Sequence, residues 1–84
     1  MGNFSQEILL QEITDHYAGG GKDLIARDIS RGEEGAEIRE QIRTYKPGAT
    51  VREIGEAIQD MIVTGKLKQR EIRRGKKFIL GITI

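Results

Sequence analysis

Apolar positions fall into a helical rhythm three times along the chain and then into an extended one. Leu9, Leu10, Ile13 and Tyr17 form the first stripe, with Gln6, Glu7, Gln11, Glu12 and Asp15 on the wet side. Spacings of three and four predict an amphipathic helix over about Ser5 to Tyr17, capped by Ser5 or Asn3 and stopped at Gly19. In the second stripe Ile38, Ile42 and Tyr45 point inward and Arg39, Arg43 and Lys46 outward, predicting a helix from Ala36 to Tyr45 that Pro47-Gly48 ends. The third stripe, Val51, Ile54, Ile58, Met61 and Ile62, predicts the longest helix. Thr50 and Glu53 supply its capping box and Gly65 its left-handed stop.

After Gly65 the period shortens to two. Leu67 to Arg73 and Phe78 to Ile84 read as strands joined at Arg74-Gly75, with Phe78, Leu80, Ile82 and Ile84 on one apolar face. Two stretches are less determined. Asp23 to Ile29 fits a short helix or a short strand, and Ser30 to Gly35 reads as a mobile polar loop.

At 84 residues the chain has room for one core. A pocket of roughly 300–1,000 Å³ for a small-molecule substrate would consume much of it, so an enzyme is disfavoured. With no cysteine, disulfides and thiolate zinc sites are excluded and a reducing compartment is permitted, the cytoplasm being expected. No apolar run approaches the roughly eighteen residues of a membrane span, and no basic-then-apolar leader opens the chain. Met1-Gly2 lacks the Ser or Thr that N-myristoylation wants at the position of Gln6.

Charge changes this picture more than composition does. The formal charge of +1 hides a segregation: residues 1–37 balance at −5 and residues 38–84 at +6. Lys66, Lys68, Arg70, Arg73, Arg74, Lys76 and Lys77 face only one acid, Glu71, within the hairpin. Such asymmetry steers oppositely charged surfaces and bears on partners rather than on fold. Lysines on an exposed strand also protect its edge from pairing, which is the bland explanation for part of this density. Adjacent Arg73-Arg74 and Lys76-Lys77 at the turn favour an anionic polymer over that explanation.

Other chemical signals are weak. Gly19-Gly20-Gly21-Lys22 is followed by Asp23 and preceded by no strand, so it is a helix terminator and not a phosphate loop. His16 is the only histidine and has no partner at metal or catalytic spacing. The carboxylates Glu33, Glu34 and Glu37 lie in a glycine-bounded loop without ligand alternation. Tyr17, Tyr45 and Phe78 fall at core-phase positions and are expected to pack rather than to serve as base-stacking platforms. No metal and no cofactor is implied.

The order helix, short extended piece, helix, turn, helix, strand, basic tip, strand resembles the winged helix-turn-helix superfamily. The residues that carry the resemblance are Val51-Arg52-Glu53-Ile54, Ala57-Ile58, Met61-Ile62, Gly65-Lys66-Leu67, the basic turn and the Phe-Ile-Leu strand. It implies a single α+β domain of three helices and a C-terminal β-hairpin wing. Residues 1–35 would be the N-terminal helix and loop, 36–65 the helix-turn-helix and 66–84 the wing. In such domains the helix before the wing enters the major groove and the wing meets backbone or minor groove.

DNA is therefore the expected partner. Arg52 and Gln59 would contact it from the long helix, Lys66, Lys68, Arg70, Arg73, Arg74, Lys76 and Lys77 from the wing, and Arg39, Arg43 and Lys46 would grip phosphates from the helix before. The long helix departs from the pattern, because its exposed side sets Glu53, Glu56 and Asp60 against Arg52 alone, and acids repel phosphate. The wing would supply most of the attraction, with a regulator or accessory factor as the expected role. The alternative is a protein-interaction adaptor using the acidic helices, or a homodimer joined acidic face to basic face.

Overall fold

The computed structural model describes residues 6–84. The expected caps Ser5 and Asn3 lie outside the described residues. The chain is α+β: α1 (Gln6–Ala18), α2 (Ala26–Arg31), a 3-10 turn (Glu33–Gly35), α3 (Ala36–Tyr45), α4 (Val51–Val63), then β1 (Lys68–Arg74) and β2 (Lys77–Thr83) as one antiparallel hairpin. Three helices are expected from the apolar pattern, and four are present among the described residues. The addition is α2, too short at six residues to show a full apolar period.

Both readings of residues 23–29 turn out to hold in part. Leu24 forms a β-bridge with Ile82, lying beside β2 as a one-residue third strand, and the chain then coils into α2. Tyr17 clasps this junction. Its hydroxyl donates to the Ile82 carbonyl and accepts from the Leu24 N–H at 3.0 Å. The glycine run ends α1 as expected, with Gly20 at φ 82° and the His16 carbonyl accepting from the Gly21 N–H.

Residues 30–35 are not an open loop. Ser30 and Arg31 complete α2, and the 3-10 turn feeds straight into α3, with Gly35 buried against the backbone of α2. The α4 signals form as read. The Glu53 N–H donates to Thr50 Oγ1 at 3.1 Å, the Thr50 N–H donates to Glu53 Oε1 at 2.9 Å, and Gly65 takes φ 83°. At the hairpin turn Gly75 has φ 65° while Lys76 does not enter the left-handed region, the pattern of a type II′ turn.

One core joins the elements. Leu9 and Ile13 of α1, Leu24, Ile29 of α2, Ile38 and Ile42 of α3, Ile54, Ile58 and Met61 of α4, Leu67 and Ile82 are all buried. No helix among the described residues is long and apolar enough to cross a membrane.

The hairpin departs from its expected orientation. Alternation places Phe78, Leu80, Ile82 and Ile84 together, but only Ile82 is buried, at the base where β2 meets Leu24, while Phe78 is 65% and Leu80 56% exposed. Toward the turn the opposite face lies against the body of the domain. Ile72 is 8% exposed and packs where Gly81 has no side chain, and Arg70, opposite Gly81 in the register, reaches Asp23. Tyr45, expected inward, is also exposed, because it stands at the last position of α3 beyond the core contacts of Ile38 and Ile42.

Candidate nucleic-acid interface

The three cations expected to grip phosphate from α3 are used inside the domain. Arg39 Nη1 donates to the Asp28 carbonyl at 2.9 Å and the Ile29 carbonyl at 3.3 Å, tying the end of α2 to α3. Arg43 Nε donates to the Ala49 carbonyl at 3.0 Å, fixing the turn between α3 and α4. Lys46 Nζ pairs with Glu53 Oε2 at 3.1 Å. These side chains are half-buried, so the expectation of an outward basic row on α3 is corrected. Helical spacing put them on the side away from Ile38 and Ile42. Long side chains cross back over a helix surface, Arg39 and Arg43 to bare carbonyls and Lys46 to a carboxylate.

On α4, Arg52 pairs with Glu56 one turn on at 3.4 Å, with both side chains well exposed. Such a surface pair contributes about 0.3–0.5 kcal/mol and leaves both groups open to other partners. Gln59 is exposed beside them. Two of the three acids expected to repel phosphate are occupied. The Thr50 N–H, and then Lys46, hold the Glu53 carboxyl below the usual carboxylate range, and Asp60 accepts a hydrogen bond from Gln6 Nε2 at 2.6 Å.

The hairpin cations divide into two sets. Arg70 pairs with Asp23, and Arg74 grips Asp28 through two hydrogen bonds, Nη2 to Oδ2 at 2.9 Å and Nη1 to Oδ1 at 3.3 Å, with Nη2 also donating to the Asp23 carbonyl at 3.1 Å. Asp28 is 7% exposed and also accepts from the Ile25 N–H at 2.9 Å, closing the first turn of α2. Burial pushes its carboxyl up, but the hydrogen bonds from Arg74 and Ile25, with the charges of Arg74 and Arg27, outweigh burial and hold it below its ordinary value. Arg70 and Arg74 are therefore tethers that fasten the hairpin to residues 23–28, a correction to their expected role as contacts.

The second set faces outward. Lys68, Arg73, Lys76 and Lys77 are exposed, and among the described residues no carboxylate lies within ion-pair distance of them. Lys66 Nζ donates to the neutral Gln6 Oε1 at 3.2 Å. Arg73 Nε donates to the Gly75 carbonyl at 3.3 Å, and its guanidinium carbon lies 5.9 Å from the Phe78 ring centroid.

No protein-family model, curated protein or solved structure matches the chain. Cations that sequence reasoning passed over extend the interface: Arg27 and Arg31 are exposed one turn apart on α2, and Lys22 lines an open cleft of about 360 Å³ with Asp23, Glu34, Ile72, Arg73 and Arg74. The four-residue spacing of Arg27 and Arg31 was the available signal, obscured because that stretch had no settled conformation. His16, by contrast, packs edge-on against Tyr17 and hydrogen-bonds the Lys22 carbonyl through Nε2 at 2.7 Å.

Proposed function

We propose that the chain is a small winged-helix DNA-binding domain, a transcriptional regulator or accessory factor, whose wing supplies most of the attraction for the phosphate backbone. The observation that carries this reading is the set of exposed cations that have no carboxylate partner among the described residues, Lys68 at the base and Arg73, Lys76 and Lys77 at the tip, on a hairpin whose other arginines anchor it. Two features of the fold support the superfamily: α4 runs through Gly65 directly into the hairpin, and Leu24 adds a short strand beside β2. The outer side of α4, with Glu56 beside Arg52, disfavours deep insertion into a groove, so backbone contact dominates and sequence selectivity is low.

The test is binding of the full chain to random duplex DNA across a salt series. About four phosphates neutralised by those cations predict a slope of log affinity against log salt of about −3 to −4, at roughly 0.9 per phosphate. This is shallower than the slope expected when the tethered arginines are counted as contacts. Replacing Lys76 and Lys77 by glutamine flattens the slope by about 2 on the same arithmetic and leaves the melting temperature unchanged. Undiminished affinity in that variant removes the wing from the account.

An adaptor role draws on a different surface. Exposed Tyr45 and half-buried Ile8 line a shallow groove with Glu7, Gln11 and Glu12, where a basic amphipathic segment would fit. Duplex binding with the stated salt dependence favours the first reading over this one.

A further inference from the structure

Near its basic tip the hairpin presents its apolar face outward. Phe78 is 65% and Leu80 56% exposed, two residues apart on one face of β2, with side chains about 7 Å apart along the strand. Arg73 stands opposite Phe78 in the register and Glu71 opposite Leu80, while Lys77, next to Phe78 in the strand, alternates to the other face. The positive charge at the ring is therefore that of Arg73, with Lys76 and Lys77 at the adjoining tip. An exposed aromatic among cations has the two components that hold a nucleic acid strand: charge for the phosphates and a flat apolar surface for a base. Bases inside a duplex reach such a surface only after unstacking, whereas unpaired bases need no such step.

We infer that the outer face of the hairpin captures unpaired nucleobases, one stacking on Phe78 and its neighbour lying over Leu80, while Arg73, Lys76 and Lys77 hold the flanking phosphates. The inference rests on the nucleic-acid reading above and narrows it: single-stranded, frayed or looped segments bind more tightly than uninterrupted duplex. The Arg73 guanidinium lies 5.9 Å from the Phe78 ring centroid, and the ring is still 65% exposed. The apolar face then needs no protein cover, because its occupant is the strand itself.

The experiment compares the full chain and two variants against labelled oligothymidine, oligouridine and a random duplex of equal length. The parent binds the single strands more tightly than the duplex, and the ratio between the DNA and RNA strands tells which sugar is preferred. Phe78→Ala weakens single-strand binding by roughly 5- to 150-fold, the range of one base–aromatic stack, and shifts duplex affinity by less than about twofold. Phe78→Trp introduces the only indole in a chain without tryptophan, retains affinity, and loses emission as oligothymidine saturates it. Equal losses on single strand and duplex, or an indole whose emission ignores bound oligonucleotide, overturn the inference while duplex binding with its salt slope still stands. Absence of binding to every probe overturns both. If Phe78→Ala instead converts an associated species to monomer in gel filtration with oligonucleotide affinity unchanged, the face belongs to a protein contact and the inference fails.

Discussion

Gly35→Ala is expected to remove about a third or more of the stability of the domain. An added Cβ there would lie 2.6 Å from the Ile29 Cα and 2.7 Å from the Asp28 carbonyl carbon, and closer still to the Asp28 oxygen. Every one of these is backbone, so no side chain can rotate away. Relief requires α2 and α3 to separate, which breaks the Arg39 hydrogen bonds to Asp28 and Ile29 as well. A loss of about 4 kcal/mol follows from overpacking of this severity together with the lost bonds. Against a total of about 4–13 kcal/mol for a domain of this size, that is decisive. Thermal melts should show a fall of at least about 15 °C. Gly48→Ala is the matched control: its Cβ meets open space, and its melting temperature should equal or slightly exceed the parent's. A Gly35→Ala protein melting within a degree or two of the parent would mean that α2 and α3 are not in backbone contact.

Removing the Asp28 carboxylate should have the next largest effect. Asp28→Ala loses the acceptor that closes the first turn of α2, at about 1 kcal/mol, and the paired hydrogen bonds with Arg74, at about 2 kcal/mol, because Arg74 is 41% exposed and can return to water. The sum of about 3 kcal/mol lowers the melting temperature by roughly 12–24 °C. Its pH dependence has a definite sign. A carboxyl held below its unfolded value contributes its full stability above the ordinary value near 3.9, and loses it as pH falls through the lower folded value. The gap between parent and Asp28→Ala should therefore be widest at neutral pH and narrow below about pH 4. A gap that stays constant down to pH 2 would show that the carboxylate's charge contributes nothing to the difference.

What could be read along the chain was what neighbours in sequence decide. The helices α1, α3 and α4, the Thr50 box, the Gly65 stop and the hairpin depend on residues within a turn or two of each other and formed. Even so, Val51 and Tyr45, at the ends of their stripes, are exposed, and the turn falls at Gly75-Lys76, one residue past the expected Arg74-Gly75. The misjudged features depend on distant segments. Asp23 and Arg70 are 47 positions apart and Asp28 and Arg74 are 46 apart, so no local pattern distinguishes a tethering arginine from an outward one. Alternation established that Phe78, Leu80 and Ile82 share a face but not which part of that face the domain covers. Gly35 reads as loop punctuation from its neighbours, and only the packing of α2 beneath it shows why a hydrogen is all that fits there. Period put Arg39, Arg43 and Lys46 on the wet side, but their side chains reach back to partners inside the domain and are half-buried.

The Arg70 and Arg74 anchors have a bearing on any ionic-strength titration of this domain. Electrolyte that screens a bound polyanion also weakens the exposed Arg70–Asp23 link, and to a smaller degree the sheltered Arg74–Asp28 one. The arm's pose and its grip are thus sensitive to one variable. A measured slope steeper than the outward cations allow would signal that the arm itself swings as salt rises, and comparing it with Arg70→Gln, whose link is already cut, separates posture from adhesion.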